Sequence, residues 1–276
     1  MSAFLEEMAA GSRARVRSAL TRRSRAGLES AARLAPAPPP LRLDASGFDL
    51  IAELKLRSPA AGELRPAGED LAARVACYAR AGAAAVSVLT EPSRFDGSLE
   101  HLGAAAQVLR SRGVPAMRKD FIVDPYQVFE ARAAGAGGVL VILRMLPQEE
   151  TRALIDCASA LGLFVLLEAF DARDIALLHE VLAAHRGTSP LLAGVNCRDL
   201  ATLEVVPARL VELAPLLPAH VPRVAESGVT TAADARAVAA AGYSLALVGG
   251  ALMRGDDPGA LAAALLAAGR AARAAP

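Results

Sequence analysis

Met117-Arg118-Lys119-Asp120-Phe121-Ile122-Val123-Asp124-Pro125-Tyr126-Gln127 passes from a strand pattern into a helical one. The apolar run Val114-Pro115-Ala116-Met117 precedes Lys119, and a helical pattern from Val128 to Ala134, stopped by Gly135, follows it. Lys119 therefore sits where a strand gives way to a loop. Strand side chains alternate in direction, so Lys119 shares a face with Met117 and opposes Arg118. A lysine aimed at a core face costs free energy unless a partner or a reaction holds it there. Most strand-end lysines are simply solvated. This one gains meaning because charged or amide residues recur at four other strand ends.

Working outward, the chain repeats one phrase. Apolar runs begin near Leu50, Ala85, Val114, Val139, Leu163, Leu191, Val221 and Leu245. Helical patterns fill 69–81, 98–111, 125–134, 148–161, 171–184, 205–214, 231–241 and 257–273. Strand and helix alternating eight times predict a parallel sheet with crossover helices, and the length fits a closed (βα)8 TIM barrel. An open doubly wound sheet would carry a glycine-rich turn after its first strand. Glu53-Leu54-Lys55-Leu56-Arg57-Ser58-Pro59 is nothing like one.

Residues 3–33 read as helix, with Phe4, Leu5 and Met8 as an apolar stripe and arginines at 13, 15, 17, 22, 23 and 25. Those arginines read as a solvated face, with an anion-binding surface as the alternative. Ala35-Pro36-Ala37-Pro38-Pro39-Pro40 reads as an extended connector. Residues 1–45 are thus expected to form an N-terminal helical extension, and 46–276 the barrel.

The 276 residues are 54% hydrophobic with a formal net charge of +1, which gives no electrostatic case for nucleic acid or an anionic membrane. No uninterrupted apolar run is long enough to span a bilayer. Cys77, Cys157 and Cys197 form neither a disulfide framework nor a zinc pattern, so a reducing cytoplasm is expected. The first residues lack the apolar stretch of a secretion signal, and Glu6 and Glu7 oppose a transit peptide.

In barrels of this kind the site forms at the carboxyl ends of the strands. Here those ends deliver Glu53 and Lys55, then Lys119, Glu168, Asn196-Cys197-Arg198, and Glu226. Glu168 shares parity with Phe164 and Leu166, and Glu226 with Val224. Any one of them could be a structural ion pair. All of them at one rim predict a site. Glu226-Ser227-Gly228 and Val248-Gly249-Gly250 close the last two strands, where barrels often bind phosphate through backbone N–H groups.

Several phrases together resemble indole-3-glycerol-phosphate synthase of tryptophan biosynthesis. They are Glu53-x-Lys55-x-x-Ser58-Pro59-x-x-Gly62, Leu89-Thr90-Glu91 with Phe95-x-Gly97-Ser98, Arg118-Lys119-Asp120-Phe121, Glu168, Asn196-x-Arg198-Asp199-Leu200 and Glu226-Ser227-Gly228. The resemblance runs from about residue 49 onward, and the helices before it resemble that family's extension. Two positions depart: Ala60 and Gly250 stand where the family usually has serine, or at 250 an acid. The resemblance implies ring closure of 1-(2-carboxyphenylamino)-1-deoxyribulose 5-phosphate with loss of carbon dioxide and water, without metal or cofactor. It implies Lys119 as general acid, Glu168 as base with Asn196 beside it, and Glu53 orienting Lys55, with Glu226 on the same catalytic rim. Phe95, Phe121, Leu140, Leu200 and Leu247 would shape the substrate pocket, and Arg198 would hold a carboxylate or pair with an acid to fix its loop. Ser58, Ser227, Gly228, Gly249 and Gly250 would hold the phosphate. No histidine is assigned a role.

Two other readings stay open. A phosphoribosylanthranilate isomerase-like barrel would ordinarily use a cysteine and an aspartate, and no cysteine ends the first strand. A barrel without activity, serving as a binding subunit, would not need the acids and lysines retained here. The expected partner is a small phosphorylated molecule, and the expected state a monomer or weak homodimer.

Overall fold

The computed structural model describes residues 2–64 and 69–274, so the outermost bounds of the expected segments 1–45 and 46–276 lie outside the described residues. The strands are β1 (Asp49–Leu54), β2 (Arg57–Ser58), β3 (Gly62–Glu63), β4 (Ala85–Leu89), β5 (Ala116–Lys119), β6 (Gly138–Ile142), β7 (Phe164–Ala169), β8 (Leu191–Asn196), β9 (Arg223–Glu226) and β10 (Leu245–Val248). The helices are α1 (Ala3–Arg22), α2 (Arg25–Leu34), α3 (Leu71–Arg80), α4 (Pro92–Phe95), α5 (Leu99–Arg110), α6 (Pro125–Ala133), α7 (Gln148–Ala160), α8 (Ala172–Ala184), α9 (Ala208–Leu213), α10 (Ala232–Ala240), α11 (Gly250–Arg254) and α12 (Pro258–Ala274).

The sheet closes in the order β1-β10-β9-β8-β7-β6-β5-β4, and β4 pairs back onto β1 in parallel. Closure excludes the open doubly wound sheet. The chain forms the expected (βα)8 barrel.

Short polar side chains set the helix starts. Asp70, Ser98, Asp124, Asp171 and Thr231 each accept an N–H of the first turn of α3, α5, α6, α8 and α10. Pro125 occupies the first turn of α6, where a missing N–H costs nothing. Gly135 then leaves the helix at φ 91°, a conformation that side chains resist.

Some boundaries differ from the sequence reading. Residues 3–33 are two helices. Arg23 is extended and Ser24 accepts the Gly27 N–H, so a fresh helix starts without glycine or proline to announce the break. The pattern at 205–214 shortens to α9, because Val205 bridges Arg198 in an antiparallel sense and Pro207 stands at the N-cap. The β2–β3 hairpin, with Arg57 opposite Glu63, is an addition that the strand–helix rhythm does not foretell.

Packing divides into the barrel interior and the layer between sheet and helices. Inside, Phe164 lies over Gly138, where an added Cβ would meet its ring at 2.3 Å. The helix α1 adds Leu5, Met8 and Ala9 to the main core. Further along, Val16, Ala19, Leu28 and Ala32 form a second cluster with Tyr126 and Phe129 of α6. Arg15 and Arg25 are engaged with Asp120 and Asp124, at 2.6 and 2.9 Å. No helix among the described residues is long and apolar enough to cross a membrane.

The Phe164–Gly138 contact generates a test of the interior. Gly138→Ala should destabilise the barrel by about 1–3 kcal/mol, the usual cost of overpacking. Urea unfolding followed by circular dichroism measures it, and an unaltered midpoint would mean that the floor of the barrel yields freely.

Candidate active site

Every candidate residue named from the sequence lines one cavity of about 480 Å³ at the carboxyl ends of the strands. That volume lies in the ordinary range for small-molecule sites.

Alternation on β5 carries the Lys119 side chain inward, and its Nζ lies 3.0 Å from Glu226 Oε2 and 3.6 Å from Glu168 Oε1. Glu168, on β7, accepts from Asn196 Nδ2 at 2.5 Å, and Asn196 Oδ1 accepts the Arg198 N–H at 3.0 Å. On β1, Glu53 meets the Nζ of Lys55 at 2.6 Å. All three glutamates are at most 2% exposed.

Two glycines make room for these carboxylates. A Cβ on Gly249 would lie 2.1 Å from Glu53 Oε1, and one on Gly194 would lie 2.3 Å from Glu226 Oε1. From the sequence, Gly249 is expected to allow close approach of an anion. In the structure its missing side chain is the niche of Glu53. Gly194 carries no such signal, since a glycine inside a strand does not show which neighbour needs its space.

The charges shape one another. Burial alone would lower the pKa of Lys119, but Glu168, Glu226 and Glu53 outweigh it, so its ammonium is held well above the ordinary value. Burial would raise Glu53, yet Lys55, Lys119 and Arg198 bring it below the usual range. For Glu226 burial wins: with Glu168 adding to it, the carboxyl is pushed up to about 8 despite Lys119. Among the described residues Glu226 Oε1 finds no hydrogen-bond partner.

Behind Lys119, on the outer face of the sheet, lies a second ionic cluster. Arg118 donates to Asp120 at 2.9 Å, to Glu130 at 3.0 Å and to Thr90 at 3.0 Å. Burial would raise the Asp120 carboxyl, but Arg118 and Arg15 hold it far below the ordinary carboxylate value. Ser12 of α1 donates to the carbonyl of Phe121. The N-terminal helix is therefore fastened to the residues that follow Lys119.

An apolar wall completes the cavity. Phe95 and Phe121 have ring centroids 6.1 Å apart, and Phe4 meets Phe121 edge-on at 5.8 Å. Leu140 and Leu247 are buried beside them, and Leu200 is half-buried. Phe4, Ile142 and Arg254 also line the space, beyond the candidates that the sequence offers for the site. Ile142 was accessible by parity with Leu140. Phe4 was read as packing only, and nothing local distinguishes Arg254 from other exposed cations.

Two polar candidates are engaged locally. Ser58 Oγ accepts the Ala61 N–H at 3.2 Å. Arg198 donates to the Leu203 carbonyl at 2.7 Å, which fixes its loop. At the end of β9, Ser227 and Gly228 both take left-handed backbone, at φ 66° and 74°. None of the histidines lines the cavity.

Residues 5–265 match the family model described as indole-3-glycerol phosphate synthase. The chain is 45% identical over 223 residues to an indole-3-glycerol phosphate synthase of Kineococcus radiotolerans, spanning 81% of this chain and 77% of that protein. It is 43% identical over 227 residues to the protein of that name from Parafrankia sp., spanning 82% and 81%. Among solved structures, thiamine phosphate pyrophosphorylase from Pyrococcus furiosus superposes with a TM-score of 0.58 at 16% identity, over 82% of this chain and 98% of that one. That likeness concerns the barrel alone. The family match along nearly the whole length is of another order, and this chain belongs to the indole-3-glycerol phosphate synthase family.

Proposed function

We propose that this cavity carries out the family's reaction, converting the carboxyphenylamino deoxyribulose phosphate to indole-3-glycerol phosphate with loss of carbon dioxide and water. The observation that carries the assignment of roles is the Lys119 ammonium set between Glu226 and Glu168, beside an aromatic wall.

Ring closure begins when the aromatic carbon bearing the carboxylate attacks the ketone carbon. The electron pair of the carbonyl moves to oxygen, which takes a proton from Lys119. The nitrogen lone pair stabilises the closed ring as an iminium. The carboxylate then leaves as carbon dioxide, and its bonding electrons neutralise that iminium. Dehydration follows: Glu168 removes the ring proton, and one of the two rim lysines protonates the departing hydroxyl. Two protons given and one taken leave a net uptake of one, which balances loss of carbon dioxide from a carboxylate. Glu226 holds a proton up to about pH 8 and sits 3.0 Å from Lys119, placed to recharge it. Its proton comes back from water.

The substrate phosphate is assigned to the loops at Ser227-Gly228 and Gly249-Gly250, with Ser58 and Lys55 on the facing side. The barrel, 46–276, supplies the reacting groups, and 1–45 contributes the Phe4 side of the apolar wall. Free thiols at Cys77, Cys157 and Cys197 support a cytoplasmic setting. The protein is taken to act there as a monomer or weak homodimer, without nucleic acid. Sedimentation equilibrium tests the assembly state.

The assay is product formation from the carboxyphenylamino substrate, followed by indole fluorescence; absence of product from the folded protein would overturn the reading. Lys119→Ala should lower kcat by roughly 10²–10⁴, the range for a positioned acid or base. Near-normal turnover would remove Lys119 from the chemistry.

Glu168→Gln preserves shape but not basicity. Rapid-quench sampling should then reveal a species that has closed and lost carbon dioxide but retains its hydroxyl. Full-speed product formation would exclude Glu168 as the base.

The pH profile follows from Glu226. Its working form is protonated, so kcat/KM should fall as pH rises through about 8. Glu226→Gln should lower the plateau and abolish that descending limb. A rise through the same region would show that the ionised form is the active one.

A further inference from the structure

Four cations line the cavity, and three are already engaged. Lys55 and Lys119 face carboxylates at 2.6 and 3.0 Å, and Arg198 donates to the Leu203 carbonyl at 2.7 Å. The Arg254 side chain makes no ion pair or hydrogen bond among the described residues. It is exposed at the last residue of α11, on the side of the mouth where β10 ends.

Its guanidinium lies against the backbone of Gly250. A Cβ built there would stand 3.3 and 3.4 Å from Arg254 Nη1 and Nη2, and 3.6 Å from Cζ. The two terminal nitrogens are the nearest atoms, so it is the donor end of the guanidinium that abuts residue 250. Only glycine leaves that position open: any side chain would compete for the space, and an acidic one would pair with the guanidinium.

We propose that Arg254 is a phosphate-binding residue of this enzyme, giving its N–H donors to the substrate phosphate from the solvent side. This rests on the reading that the phosphate lies between the 227–228 and 249–250 loops. A planar fork of donors suits phosphate oxygens better than a point charge does. The apolar wall and the Lys119 cluster serve the ring and the ketone. Arg254 thereby selects for the phosphorylated end of the substrate.

Inorganic phosphate is the probe, titrated calorimetrically into wild type, Arg254→Gln, Arg254→Lys, Gly250→Glu and the variant carrying both Gly250→Glu and Arg254→Gln. Arg254→Gln should weaken phosphate roughly tenfold and raise KM by a similar factor, with kcat moving far less. Arg254→Lys should fall between, because charge is kept and the fork is lost. In the Gly250→Glu background the loss of Arg254 should cost no further affinity, since the new carboxylate has already taken the guanidinium. Equal phosphate affinity in wild type and Arg254→Gln would overturn the proposal for Arg254 while leaving the phosphate loops in place, provided phosphate still competes with substrate. Phosphate that fails to compete with substrate in wild type would remove the loop assignment itself.

Discussion

Charge balance at the mouth of the barrel governs much of this molecule. Three carboxylates, on Glu53, Glu168 and Glu226, converge with two ammonium groups, on Lys55 and Lys119, where little water reaches. With every group ionised, three carboxylates would sit among the cations of Lys55, Lys119 and Arg198 in a medium that tolerates buried charge poorly. Burial at Glu226 outweighs its pairing with Lys119, and the proton it retains lessens the buried charge. Lys119 stays charged because it faces more than one carboxylate, and Glu226 keeps its proton because burial, with Glu168 adding to it, outweighs Lys119. A proton donor and a proton reserve thus arise from the balance of burial and pairing within one cluster. The arrangement also needs volume, supplied by leaving out side chains at Gly194 and Gly249.

The same strand end is gripped from both faces of the sheet. Lys119 points into the barrel, and its neighbours Arg118 and Asp120 belong to the outer cluster with Thr90, Glu130 and Arg15. Phe121 then turns its ring to Phe95 and Phe4. Five consecutive residues from Met117 serve in turn as core, anchor, reactive group, anchor and pocket wall. A catalytic side chain held within fractions of an ångström needs such supporting contacts.

The barrel and its rim could be read from the sequence because both depend on local periodicity. Alternation assigned Lys119, Glu168 and Glu226 to the interior, and eight repeats implied closure. What escaped depends on space rather than on spacing. The break at Arg23–Ser24 is made by a serine cap in a stretch with good helical composition. The need for Gly194 lies in a glutamate on the next strand, and that for Gly249 in one on β1. Arg198 found a backbone carbonyl, a partner that no residue pattern can name. Phe4 reaches the pocket only because α1 docks across more than a hundred intervening residues.

That docking has a bearing on how the protein is made. Ser12 and Arg15 bind Phe121 and Asp120 across sequence separations of 109 and 105 residues. Barrel closure joins β1 to β10, and Gly269 of α12 packs on Phe48 beside β1. Contacts this distant reward the chain only after a large loss of loop-closure entropy, so they form late. On the ribosome α1 emerges before the barrel strands and has no seat until β5 has followed it. Glu53 has no niche until the residues after β10 arrive. The catalytic rim is therefore among the last parts to assemble, and a chain that has not yet closed on its own beginning has a sheet but no enzyme.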